Sequence, residues 1–262
     1  MLQPRVLMLD IETAPLLGYH WGLWKQNIGY GQLESEWYIL CWAAKWLGDK
    51  KVHAHGLDAG KIAKSDSDVK DAELLEPLWE LMDEADIIVA HNGKKFDMPK
   101  INARFLKAGF NPPSPYKQVD TLNECKKTFR FTSNRLDAVA QFLGLGRKMD
   151  TGGFDLWTDY MKGSKAAQKK MLKYNIQDVK LLEDVYLKLL PWMPNHPNVG
   201  VYVDHDKPIC PKCGSTHLQK RGYAYTQVGK YHRMQCMGCG GWSRTRFTIN
   251  TKEVRKELVT NA

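Results

Sequence analysis

The sequence predicts an α/β fold built on a sheet of mixed direction, with a small separate module at its carboxyl end. Strands come first and then alternate with helices, the pattern of a sheet covered by helices. An apolar stretch at Val6–Thr13 opens the chain as a buried strand. From Gly200 onward, eleven Lys and Arg stand against four acids, a local net charge of +7 that leaves only +2 of the chain's +9 elsewhere. The 262 residues, 43% of them hydrophobic and 11% aromatic, suffice for one large core and a small appendage.

The opening strand is unusual because two acids interrupt its apolar run. Alternation puts Asp10 and Glu12 on one face, one pleat apart. Two such carboxylates repel each other and lose hydration, which a divalent cation between them would relieve; an acidic strand end facing water is the plainer alternative. Ala14-Pro15 ends the strand. Residues 16–36, rich in Gly, Trp and Tyr, read as a long ordered loop. Trp37–Trp46 and Lys51–Gly56 read as paired strands, and Lys61–Asp71 as a polar loop. Ala72–Ala85 carries Leu74, Leu75, Leu78, Leu81 and Met82 at helical spacing. Asp86–His91 is a further buried strand that runs into the Asn92-Gly93 turn signal. A helix over Met98–Ala108 stops at Gly109, and Tyr116–Val119 is a last short strand. Helices are predicted at Thr121–Thr128, Arg135–Leu143 and Ala166–Leu190, with an irregular Gly144–Gly163 between the last two. Pro191–Val199, with three prolines, reads as a linker, which sets domain limits of 1–195 and 196–262.

Two further acids stand out by context. Asp97 follows a buried strand, at the sheet end where α/β proteins place their chemistry. Asp178 shares a helix face with Tyr174, four residues before it. Taken alone, Asp97 reads as a cap and Asp178 as a solvated acid, and plain helix packing is the competing reading of Tyr174. Together, Asp10-Ile11-Glu12, Asn92…Phe96-Asp97 and Tyr174-Asn175-Ile176-Gln177-Asp178 resemble the three motifs of the DnaQ-like, DEDDy-type 3′→5′ exonucleases. The nearest flavour is the proofreading exonuclease domain of family-B DNA polymerases. The resemblance covers residues 4–190 and implies a ribonuclease H-like mixed five-stranded sheet. The residues beyond are too few for a polymerase domain, so a stand-alone nuclease is expected.

The resemblance implies hydrolysis of phosphodiesters at the 3′ end of DNA, single-stranded by preference, with two Mg²⁺ or Mn²⁺ ions. Asp10 is expected to bridge both ions, Glu12 and Asp178 to hold one, Asp97 to support the other, and Tyr174 to aim the attacking water. Thr13, Leu16, Asn92 and Phe96 are the implied substrate contacts. Leu16 reads equally as core, and Asn92 equally as a turn former. Asp120 reads as a helix N-cap, while His91 and His53 read as structural. An exoribonuclease and a nucleic-acid or replisome-docking protein with a vestigial site are the competing readings.

Cys210-Pro211-Lys212-Cys213 and Cys236-Met237-Gly238-Cys239 are two Cys-x-x-Cys knuckles, a strong signal for one structural Zn²⁺ in a closed tetrahedral site. The module resembles a zinc ribbon, with short strands expected at Tyr223–Tyr225 and Lys230–Gln235. Lys220, Arg221, Tyr223, Tyr225, Lys230, Arg233, Trp242 and Arg244 interleave cations with rings, a sequence-tolerant way to hold single strands. Docking on the catalytic body or on a partner, such as a replication or repair protein, is the alternative. Cys41 and Cys125 read as free thiols. The amino-terminal residues show no signal-peptide pattern and no apolar run is long enough to span a bilayer. A cytoplasmic, reducing setting is therefore expected (the host cytoplasm if the chain is viral), with nucleic acid rather than membrane as partner. Oligomeric state is not legible.

Overall fold

The structure, a computed structural model, describes residues 4–62 and 70–260; most of the expected Lys61–Asp71 loop lies outside them. In chain order the elements are β1 (Val6–Thr13), β2 (Leu17–Gly18), β3 (Leu33–Ser35), β4 (Ile39–Trp46), β5 (His53–Gly56), α1 (Ala59–Ile62), α2 (Ala72–Asp83) and β6 (Ile87–Ala90). Then follow α3 (Asp97–Lys107), β7 (Lys117–Asp120), α4 (Thr121–Thr128), α5 (Leu136–Phe142), α6 (Asp155–Met161) and α7 (Lys165–Leu189). The remainder comprises β8 (Leu218–Tyr225), β9 (Lys230–Cys236), β10 (Trp242–Arg244) and α8 (Lys252–Glu257). Contacts divide the chain into two compact units, Arg5–Tyr186 and the residues from Leu187 on. The division falls inside α7, ahead of the prolines that set the expected limit.

The larger unit holds a five-stranded sheet in the order β5-β4-β1-β6-β7. Strand β1 lies at its centre, antiparallel to β4 and parallel to β6; β6 and β7 are parallel, so the sheet is mixed as expected. The two faces of β1 do different work. Leu7, Leu9 and Ile11 are buried in a core with Leu74, Leu75, Leu78 and Met82 of α2 and with Ile101 and Phe105 of α3. Met8, Asp10 and Glu12 alternate onto the opposite face. That face belongs to α7: the Asn175 amide donates to Asp10 Oδ2 at 2.6 Å. Farther along, Glu183 of α7 pairs with Lys45 of β4, both buried.

Two expectations are corrected. Gly144–Gly163 is not wholly irregular, because α6 forms within it and buries Leu156 and Tyr160. The surrounding glycines hide this short amphipathic stretch. Tyr160 is locked in place, its hydroxyl 2.8 Å from the Leu57 carbonyl and 3.1 Å from that of Leu40. Residues 16–36 are not only loop, since β2 and β3 pair at the base of a projecting arm. In the smaller unit, 3₁₀ turns at Leu190–Trp192 and Val199–Tyr202 flank the proline-rich segment. A three-stranded sheet, β10-β9-β8, follows, with longer strands than the sequence indicated.

Candidate active site

Carboxylate oxygens of Asp10, Glu12 and Asp178 lie within 4.8 Å of one another. Strand β1 supplies the first two through alternation, and α7 lays Asp178 across them. Asp97 stands beside this trio rather than inside it. It opens α3, where an acid suits the helix dipole, and its Oδ1 accepts the Ile11 N–H at 3.2 Å.

The turn before Asp97 is tightly built. Asn92 takes a left-handed conformation, φ 75°, which Asn tolerates better than most residues. A Cβ on Gly93 would lie 2.4 Å from that of Ala90, so only glycine fits there. Asp120 caps α4 by accepting from Leu122 N and Asn123 N, and also accepts from Asn92 N and Lys94 N. One carboxylate thus ties the Asp97 turn to the next helix. His91 is fixed between Thr121 and Asn134, in keeping with a structural role.

The electrostatics are those of acids with too little compensation. Burial raises Asp10 well above the usual carboxylate range, and the charges of Asp97, Glu12 and Asp178 add to it. Glu12 is pushed up to about 7, by burial first, against the pull of Lys148. Asp97 likewise reaches about 7 through burial, opposed by backbone N–H donors. Burial also raises Asp178, against the pull of Lys148, which pairs with it, and of Tyr174. Asp178 Oδ1 is buried without a hydrogen-bond partner among the described residues. A buried, unpartnered carboxylate oxygen facing two more acids is a donor set for a hard divalent cation, so these residues fit Mg²⁺ or Mn²⁺.

Three neighbours were not assigned from sequence. Lys148, from the glycine-bearing loop before α6, pairs with Asp178 and reaches the Tyr174 hydroxyl at 3.1 Å. Burial disfavours its charge, but Asp178 and Asp10 outweigh burial and hold the ammonium charged. No spacing rule marks it. Asn175 orients Asp10; its place inside the Tyr-Asn-x-x-Asp motif was the available clue. Its Oδ1 also lies 3.9 Å from the Cys41 thiol, on the strand beside Glu12. Trp157 of α6 draws the Glu12 pKa down, a small pull beside that of Lys148.

A cleft of about 430 Å³ is lined by Thr13, Leu16, Trp37, Lys100, Phe154 and Trp157, among others. The Lys100 ammonium lies 4.0 Å over the Trp37 ring, 5.0 Å from the Phe96 ring, and donates to Thr13 Oγ1. Leu16 is 54% exposed, which rules out its core alternative. Asn92 makes the turn through its backbone.

In the smaller unit, the four sulfurs of Cys210, Cys213, Cys236 and Cys239 lie within 4.8 Å of one another. Pairs at 3.7 Å and 3.6 Å are far from disulfide length and close to the edge of about 3.8 Å that a tetrahedron with Zn–S of about 2.3 Å requires. Burial raises the Cys236 thiol, but N–H groups of Cys239 and Gly238 outweigh it and draw it down to about 7. The cluster fits a zinc ribbon. Lys220, Arg221, Tyr223, Tyr225, Arg233, Trp242 and Arg244 are exposed on it, and Lys230 is half-buried. Arg233 lies over Trp242, Arg244 over Tyr231 and Lys230 over Tyr223.

The mixed sheet, its order and the acids at the end of its central strand define a ribonuclease H-like protein. The sequence matches the model of the RNase_H superfamily over residues 56–190, and the chain belongs to that family. Among solved structures it is similar to the family B DNA polymerase of the hyperthermophilic archaeon Pyrobaculum calidifontis. That match has a TM-score of 0.52 and 19% identity, over 72% of this chain and 25% of the polymerase. The chain thus spans a quarter of the length of that polymerase. No curated protein matches the chain.

Proposed function

We propose that this chain is a divalent-metal-dependent nuclease that removes nucleotides from the 3′ end of DNA, with its ribbon aiding the grip on substrate. The observation that carries this reading is the convergence of Asp10, Glu12 and Asp178 from β1 and α7, beside Tyr174. The ordered motifs that resemble DEDDy-type exonucleases, and the fold shared with a DNA polymerase, support it.

Bound by these acids, a pair of divalent cations would supply an activated water and offset the charge on the leaving oxygen. The chain's own residues prepare for this. Asn175 fixes one oxygen of Asp10, and Trp157 helps to keep Glu12 charged. Asp97 supports the cluster from the start of α3. The Tyr174 hydroxyl accepts from the Lys148 ammonium that also pairs with Asp178, which sets it beside the acids to orient a water. The ammonium of Lys148 compensates the acids and can stabilise negative charge on a phosphate drawn against them. The cleft beside Thr13 and Leu16 receives the terminal nucleotide.

The test is cleavage of 5′-labelled DNA and RNA strands with Mg²⁺ or Mn²⁺. The proposal expects a descending ladder from the 3′ end, stronger on DNA. Cleavage of RNA alone would transfer the reading to an exoribonuclease. Internal cuts, or none at any metal concentration, would overturn it.

A further inference from the structure

The arm between β1 and β4 exposes aromatic surface that the proposed chemistry does not use. Trp21 is 98% exposed, Trp24 84% and Tyr30 82%. Exposed rings at this density mark a binding surface. The arm rises from the carboxyl end of β1, where Asp10 and Glu12 lie. Its base is closed by the Ala14 N–H to Tyr38 carbonyl bond and by the pairing of Leu17 with Ser35. Leu16 belongs to both arm and cleft, and Trp37, on the far side of the base, walls the cleft again. Apolar surface therefore continues from the cleft onto the arm.

We infer that this arm is a stacking platform for the unpaired polynucleotide strand that leads away from the cleft; the inference rests on the nuclease reading. Two facts favour bases as the occupant. The rings of Trp21, Trp24 and Tyr30 stack on no other ring and lie under no cation among the described residues. On the ribbon, by contrast, Tyr223, Tyr231 and Trp242 are already covered by cations. The charges of the arm are also sparse, with Lys25 set against Glu34 and Glu36. It is thus suited to hold bases by their faces rather than to track phosphates. Such a grip weakens little with salt, whereas phosphate contacts weaken steeply. It requires unpaired bases and does not read the sugar.

The test uses the full chain without added divalent cation. Binding of a labelled single-stranded DNA, the matching RNA and a blunt DNA duplex is followed by fluorescence anisotropy over a range of salt. Changing Trp21, Trp24 and Tyr30 together to Ala should weaken both single strands about tenfold or more. The duplex should weaken less, and the slope of log affinity against log salt should be unchanged. The Trp21→Phe, Trp24→Phe variant should retain most of the single-strand affinity, since it keeps the rings. Unchanged single-strand affinity in the alanine variant, equal losses on strand and duplex, or a shallower salt slope would overturn the inference. A loss confined to the DNA strand or to the RNA strand would also overturn it, because stacking ignores the sugar. Cleavage of the same strands by the wild type with Mn²⁺ tests the nuclease reading separately. A wild type that binds through the arm but does not cleave defeats only that reading.

Discussion

Lys148 is the residue on which the electrostatics of the site turn. Its ammonium lowers the pKa of Asp10, Glu12, Asp97 and Asp178 alike, and its partner Asp178 is almost wholly buried. Removing one member of a fully buried pair costs about 3–5 kcal/mol. Lys148 keeps a quarter of its side chain in water and Asp178 can take up a proton, so Lys148→Met should cost less, about 2 kcal/mol, in the metal-free protein. Urea unfolding at neutral pH measures this. The raised acids predict a pH dependence whose sign is definite. Glu12 and Asp97 sit at about 7 in the fold, against about 4 for such groups in an unfolded chain. The fold therefore binds more protons than the unfolded chain between those values. Stability should be greatest below the window and fall as pH rises through it. Thermal unfolding without divalent cations should show a lower Tm at pH 7.5 than at pH 5, and Mn²⁺ should raise Tm most at the higher pH. A flat profile would contradict the burial of uncompensated acids. At this scale the sequence showed the acids, because carboxylates that interrupt an apolar strand are conspicuous. Lys148 stayed hidden because a lysine in a glycine-bearing loop has no spacing that distinguishes it from a solvated one.

The elements were readable in proportion to their periodicity. Strand β1 and helix α2 announce themselves through alternation and a leucine stripe, and both form the central core. Helix α6 and the β2–β3 ribbon did not, because glycines and short length blur the pattern on either side. Yet α6 brings both Trp157 and Tyr160 to their places. The Tyr160 hydroxyl is fully buried against two carbonyls, where β4 runs next to the residue after β5. Tyr160→Phe takes the hydroxyl donor from the Leu57 carbonyl, while the Leu40 carbonyl keeps the Leu57 N–H, and should cost about 1–3 kcal/mol. Chemical denaturation checks this; a neutral substitution would mean that α6 is not anchored through that hydroxyl.

At the level of the whole chain, charge and cysteine spacing set the residues from Gly200 onward apart as a module of their own character. The ribbon sheet is small, and its sulfurs sit close enough to share one ion. A structural metal of this kind supplies much of the folding free energy of so small a module. Stripping the chain with a zinc-selective chelator should abolish hydrogen-exchange protection in β8 and β9 while β1 and β6 keep theirs. Retained protection in β8 and β9 would show that zinc does not hold the ribbon.

The central claim is that Asp10, Glu12 and Asp178 together capture divalent cations for phosphodiester hydrolysis. Titration with Mn²⁺ followed by electron paramagnetic resonance, with cleavage of a labelled strand read from the same samples, addresses it most directly. The wild type should bind Mn²⁺ saturably and cleave in step with occupancy, and Asp178→Asn, still folded, should lose both. A folded Asp178→Asn protein that binds Mn²⁺ and cleaves as the wild type does would contradict the account.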